Sequence, residues 1–289
     1  MDYLITRLGS AFLCGLILSQ AGSFIQIGTR NILASPSTLG IEGLSVLWIL
    51  CVHTLALALG IEWEWIGLIG LPVFALIGFF LSRILGKEIQ LERILFLGLT
   101  FNLLVGAVFS LWQFFFLAYN LPFPVEVWFG HFRFVQLQGV LVLLGFEIVL
   151  LLCLRHHWRN LQLYSLGQEI SQGHFADLPG LYKFFFIFSV SGTFLVISLF
   201  GAFSFLGLIF PLIARKLWFR KYDLKGEILI GSIANGFIFM FLDFLCYRFP
   251  LMGAEIPVGL IASVVGALCL IAIIARTSRA PHFLANARK

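Results

Sequence analysis

Apolar residues run along this chain in blocks of roughly twenty, and short polar segments between the blocks carry most of the charge. A helix rises about 1.5 Å per residue, so about twenty apolar residues cross a hydrocarbon core of about 30 Å. Nine blocks approach that length, at 8–27, 44–61, 65–86, 94–118, 136–154, 184–200, 201–218, 228–247 and 256–275. The uninterrupted run from Phe184 to Trp218 would make one helix of about 52 Å, too long for that core. It is expected to break at Gly201, although periodicity cannot place the break, since lipid-facing and buried faces are both apolar. The predicted class is all-α, a polytopic membrane protein of about nine transmembrane helices forming one domain over 1–289.

Composition agrees. The chain is 60% hydrophobic and 11% charged, with a mean hydropathy of +1.01, whereas a soluble domain carries about 25% charged residues to cover its surface. With Arg7 placed outside, every one of the 19 basic residues except Arg7, Arg133 and Arg248 falls in an inner segment. The positive-inside rule then puts the N-terminus outside and the C-terminus in the cytoplasm. The net charge of +5 is an inner-face bias and calls for no nucleic-acid partner. The cysteines (Cys14, Cys51, Cys153, Cys246, Cys269) fall one per apolar block, without metal-ligand spacing, and read as small hydrophobes. Met1 to Gln26 lacks the pattern of a cleavable signal peptide.

Little in the sequence can do covalent chemistry. The lone Gly86-Lys87 pair has Leu81 where a phosphate-binding loop needs glycine, and Glu88 where it needs Ser or Thr. His156 and His157 sit among Arg155 and Arg159 as a solvated cluster, and His53, His131 and His174 are scattered. No metal or cofactor is expected in this chain. Asn102, Gln113, Glu147, Asn235 and Asp243 lie inside apolar blocks. A carboxylate at mid-bilayer costs about 2.5–3.5 kcal/mol on insertion scales, so each must face protein or water. Hydrogen bonding between helices accounts for such groups, and a transport path is the sharper reading. A stand-alone proton-coupled carrier with Glu147 as relay is the alternative.

The polar dozen TRNILASPSTLG (29–40) separates the first two blocks. Pro36 disfavours helix at Ser35 and suits the first turn of a new one, so Ser35 is the expected N-cap, with Ser37 and Thr38 in that turn. Thr29, Arg30 and Asn31 are placed to satisfy the carbonyl end of the preceding helix.

Extended to SQAGSFIQIGTRNILASPSTLGIEG (19–43), the segment resembles the permease subunits of type II ABC importers, which move iron–siderophore complexes, haem and cobalamin. Gly22, Gln26, Arg30, Asn31, Leu33, Ala34, Pro36, Leu39, Gly40 and Gly43 match, while Ile32 replaces the usual proline. GAFSFLGLIFPLIARKLW (201–218) is similar to a second family stretch through Gly201, Phe205, Gly207, Leu208, Ile209, Pro211, Ile213, Ala214 and Arg215, with Leu212 in place of histidine. AEIPVGLIASVVGA (254–267) resembles a third, carrying Glu255, Pro257 and Gly259, and Asp243 precedes it at the family's aspartate position. GEILIGSIANG resembles the intervening helix, and the resemblance runs in order over residues 4–276.

That resemblance implies a ten-helix permease fold in the bacterial plasma (inner) membrane. It implies a second permease copy (a homodimer) or a paralogue, with the path between the two. Two ATPase subunits would supply ATP and magnesium chemistry on the inside, and an extracytoplasmic substrate-binding protein would dock outside. LQLYSLGQEISQGHF (161–175) is similar to the family's coupling stretch, with Leu166, Gly167 and Glu169 matching, Gln168 and Ser171 mildly changed, and Phe175 replacing glycine. A cytoplasmic coupling loop over 160–182 follows. Arg7 and Arg248 align with, or near, arginines that engage the binding protein; Arg248 lies one residue late, a turn of about 100° on an ideal helix. Asn102 and Gln113 are the residues offered as path lining. The family usually has one more helix ahead of Arg7, so either nine spans or an upstream start is implied. Iron–siderophore or haem is the commonest cargo, with cobalamin and metal oxyanions the less common ones.

Overall fold

The computed structural model describes residues 2–60, 66–85, 91–121, 123, 127–165, 178–218, 226–250 and 254–277. They form an all-α bundle: α1 (Asp2–Thr29), α2 (Ile41–Leu59), a 3-10 turn (Ile66–Gly70) running into α3 (Leu71–Leu85), and α4 (Leu91–Ala118). After these come α5 (Leu137–Ser165), α6 (Leu178–Phe200), α7 (Leu206–Trp218), a π-helical segment (Gly226–Gly231) continued by α8 (Ser232–Arg248), and α9 (Val258–Thr277). A helix lies at every predicted block. Seven helical stretches are long and apolar enough to cross a membrane, while Leu206–Arg215 and Val258–Ala272 are shorter.

A helix that is apolar all round belongs inside a bundle or in lipid, and both cases occur here. The apolar stretches of α1 and α6 are 83% and 78% buried, against 17% for α4. α1 is the central rod, packed on α5, α6, α7 and α8. Its close approach to α7 depends on glycine: a Cβ on Gly22 would collide with the Gly207 carbonyl and lie 3.0 Å from Pro211.

The break between α6 and α7 falls where the length argument requires it. Gly201 adopts φ +85° and donates its N–H to Ile197 O at 2.9 Å, ending α6. Residues 201–205 are not helical. Irregular backbone inside an apolar bundle must find its partners in protein, and it does. Ala202 N–H donates to Val127 O, Gly130 N–H to Ala202 O, His131 N–H to Phe200 O and Gly259 N–H to Gly130 O, all at 2.8–3.0 Å. Phe205, at φ +69°, then turns the chain, and its carbonyl accepts the first α7 bonds, from Leu208 and Ile209 at 3.0 Å.

One expectation changes. Ser35 does not cap α2, which starts at Ile41 behind Gly40 at φ +80°. Instead Ser35 closes a separate turn over 36–40: its Oγ accepts Thr38 N–H at 3.1 Å, and its own N–H donates to Thr38 Oγ1 at 2.8 Å. The reciprocity is that of a capping box, applied to a turn. α5 runs on past its apolar block to Ser165 and α6 begins at Leu178; the centre of the expected coupling loop over 160–182 lies outside the described residues.

Candidate functional site

The opening polar segment is a clamped turn. Thr29 Oγ1 donates to Ile25 O at 2.7 Å, satisfying an end carbonyl of α1 as expected. Arg30 takes φ +53°, and Asn31 turns forward, its Oδ1 accepting Leu33 N–H at 2.8 Å. Asn102 on α4 reaches across to the far side of the turn, donating to Ser37 O and accepting Gly43 N–H at 3.1 Å. Gly98, one turn earlier on α4, lies directly against the Thr38 carbonyl. Asn102, a suggested path residue, thus holds the turn, while Gln113 is half-buried farther along α4.

α7 carries a proline and is held by side chains from α1 and α8. Pro211 has no N–H and loosens the carbonyls one turn back. Gln26 on α1 donates its amide to Leu208 O at 3.1 Å, and Asn235 on α8 donates to Phe210 O and Ser19 Oγ, both at 2.9 Å. Pro36 packs against Gly207, where a Cβ would sit 3.0 Å from its ring. Gln26, Pro36, Gly207 and Pro211, matched on separate motifs, therefore meet at one junction. Gly40 stands beside it, at the foot of α2.

At the end of the bundle where α1 starts, Arg7 is 2% exposed. Its guanidinium forms a bidentate pair with Asp243 of α8 (Nε–Oδ2 2.8 Å, Nη2–Oδ1 2.9 Å), and Nη1 reaches Glu255 Oε2 at 2.8 Å. It also lies 4.8 Å from the Tyr247 ring centre. Arg7, assigned by resemblance to docking, is thus engaged within the chain and ties α1 to α8 and to the segment before α9. Pro257 and Gly259 follow Glu255; a Cβ on Gly259 would lie 2.7 Å from Gly130 N. A cavity of about 170 Å³ opens beside the cluster, lined by Arg7, His131, Arg133, Glu255 and Pro257. Arg248 ends α8 and is exposed.

Toward the opposite end, Arg215 on α7 pairs with Glu227 of the π-helical segment (Nε–Oε2 2.9 Å, Nη2–Oε1 2.7 Å). Glu147 on α5 accepts a hydrogen bond from Gln20 of α1 at 2.9 Å, which is the helix-to-helix bond that sequence considerations favoured. Leu166, Gly167, Gln168, Glu169 and Ser171 lie outside the described residues. Glu42 and Glu227 were missed by sequence reasoning. Glu42 stands two residues before the apolar block at 44, where it reads as loop, yet it is 9% exposed and accepts a bond from Ser204 at 2.6 Å. A carboxylate inside the first motif was the signal available.

Known proteins share this architecture. A solved structure described as an inward-facing metal-chelate type ABC transporter superposes with a TM-score of 0.74 at 20% identity, covering 94% of this chain and 85% of that one. The fold is that of a polytopic, all-α membrane protein. Among curated relatives, the Bacillus subtilis iron(3+)-hydroxamate import system permease FhuG is 25% identical over 273 residues, spanning 92% of this chain and 80% of its own. The B. subtilis Fe(3+)-citrate import system permease YfmE is 28% identical over 285 residues, spanning 92% and 78%. The sequence profile of the FecCD transport family matches residues 1–276, and the chain belongs to that family. Membership makes it a non-catalytic subunit and implies partnership with an ATPase and a substrate-binding protein.

Proposed function

We propose that this chain is the membrane permease of an ATP-driven, binding-protein-dependent importer of an iron(III) chelate of the siderophore or haem kind. The observation that carries this is the family match across 1–276, with relatives named for iron-hydroxamate and iron-citrate import. All nine described helices enter the bacterial inner membrane, the N-terminus faces out and the C-terminus faces the cytoplasm. This orientation rests on the distribution of basic residues.

Two copies pair, and two ATPases bind the inner face. The stretch 160–182 holds the coupling loop, and Leu166, Gly167, Gln168, Glu169 and Ser171 enter the ATPase groove. Nucleotide binding moves this loop, and the helices beside the pairing axis open to one side at a time. Arg215 and Glu227 carry the movement between α7 and α8. On the outside, exposed Arg248 meets an acidic group of the binding protein. Arg7 acts there through Glu255, by fixing the segment before α9. Gln113, half-buried on α4, is the path-lining residue kept from the sequence.

Proteoliposomes holding the permease, its ATPase and its binding protein test the reading. Uptake of labelled ferric chelate should require all three and internal ATP. Uptake by the permease alone under a proton gradient would replace it with the carrier reading. Glu169→Ala should abolish uptake while leaving the assembly intact on size exclusion; loss of the fold instead would remove the coupling role.

A further inference from the structure

Two cations from different helices converge on one aromatic ring at the end of the bundle where α3 stops and α6 starts. The Arg83 guanidinium carbon lies 4.7 Å from the centre of the Phe79 ring, and Lys183 Nζ lies 5.6 Å from the same point. A ring face attracts a cation without neutralising it, so two like charges gathered there call for an anion. The carboxylates whose side chains are described are engaged elsewhere. Glu42 meets Ser204, Glu147 meets Gln20, Glu227 pairs with Arg215, and Asp243 and Glu255 pair with Arg7. The C-terminal end of a helix favours a cation in its last turn, where Arg83 stands. Lys183 comes from the second turn of α6, where the helix end gives no such support.

The surface leading to these cations is apolar. Val73, Leu76 and Phe80 follow one another at spacings of three and four residues along the face of α3 that ends at Arg83. All three are exposed, Phe80 at 59%. From Val73 to Arg83 the helix rises about 15 Å, half of a hydrocarbon core of about 30 Å. Beside the stripe, α3 and α6 close on each other: a Cβ on Gly78 would lie 2.8 Å from Phe186 O and from Ile187 Cα. An acyl chain laid on this face thus starts near mid-bilayer and ends with its headgroup at the two cations. A free anion would use the charges and leave the stripe idle.

We propose that this surface binds one anionic phospholipid, its phosphodiester held between Arg83 and Lys183 and an acyl chain lying along Val73, Leu76 and Phe80. Basic groups set between membrane helices hold such headgroups. The lipid bridges the end of α3 and the start of α6 where the chain supplies no carboxylate from its described residues. By the orientation proposed above it belongs to the cytoplasmic leaflet; the binding itself depends neither on that orientation nor on the cargo.

The test uses the full chain purified in detergent and stripped of lipid. Dioleoyl phosphatidylglycerol should appear as one bound lipid per chain in native mass spectrometry and should raise the thermal unfolding midpoint saturably. Dioleoyl phosphatidylcholine, which has the same tails, and inorganic phosphate should do neither. Lys183→Gln and Arg83→Gln should each weaken phosphatidylglycerol binding about fivefold. Arg133→Gln, which removes an exposed cation lying over a single ring (Phe134) at the other end of the bundle, should leave it unchanged. Should Lys183→Gln fail to fold, Arg83→Gln, at an exposed position, carries the test. Equal binding of the two lipids would overturn the site, as would inorganic phosphate matching phosphatidylglycerol, which marks a free-anion site. A loss in Arg133→Gln as large as in the other variants would overturn it too, by showing diffuse attraction. None of these results touches the permease assignment, which is read from chelate uptake.

Discussion

Arg7→Ala removes a guanidinium whose side chain is 3% exposed and leaves the Asp243 carboxylate, at 0%, without its bidentate partner. Breaking a buried ion pair from one side costs about 3–5 kcal/mol, because the remaining charge has neither water nor a counter-ion. The Glu255 arm behaves differently. Its side chain is 31% exposed, so water replaces the lost contact and Glu255→Gln costs about 0–1 kcal/mol. A variant carrying Arg7→Met and Asp243→Leu together leaves no buried charge and should recover most of the loss.

Equilibrium unfolding in mixed micelles of the unaltered chain, Arg7→Met, Asp243→Leu and the double variant, measured side by side, gives the coupling directly. A strong, non-additive coupling is expected, with both single substitutions far worse than Glu255→Gln. Were Arg7→Ala to fall within about 1 kcal/mol of Glu255→Gln, or the two losses simply to add, the pair would not be what joins α1 to α8.

Other substitutions probe the remaining contacts. Gly22→Ala places a methyl group against the Gly207 carbonyl and should cost about 1–3 kcal/mol or prevent folding, whereas Gly9→Ala on the same helix meets nothing within 4 Å and should be neutral or mildly stabilising in the same unfolding assay. Gln26→Ala leaves the Leu208 carbonyl without its donor and should cost about 1–3 kcal/mol; Gln26→Glu in its ionised form, unable to donate, should do no better. Arg248→Ala should weaken binding-protein affinity more than tenfold, measured on immobilised permease, with little change in unfolding midpoint, because the residue is exposed at a helix end.

The bundle was largely legible because membrane spans are written in block length. Every predicted block has its helix, and the break at Gly201 followed from a run too long for a bilayer. Capping at the turn was harder to read. Ser35 and Pro36 have the chemistry of a helix start, but Gly40 with its left-handed backbone inserts a turn before α2, and the supporting Asn102 comes from α4, 65 positions beyond Ser37. Arg7 shows the same limit more sharply. Near the chain start it reads as a surface cation, and only folding brings in Asp243, 236 positions away. Glu42 escaped notice because it lies just outside an apolar block, where a carboxylate ordinarily meets water.

The polar groups inside the bundle also bear on where cargo can pass. Gln26, Asn102, Asn235, Asp243 and Glu147 each bond to another helix or turn of the same chain, and α1, at the centre, is closely packed. A ferric chelate is far larger than the cavity of about 10 Å³ at the motif junction, and opening a route along α1 would break several of these bonds at once. α4, by contrast, is mostly uncovered. A path along a face shared with a second copy asks only that two rigid bundles rock against each other, leaving every interior hydrogen bond in place. The interior polar network therefore fits the proposed pairing: it would keep each copy rigid, so that a movement between copies need not break it.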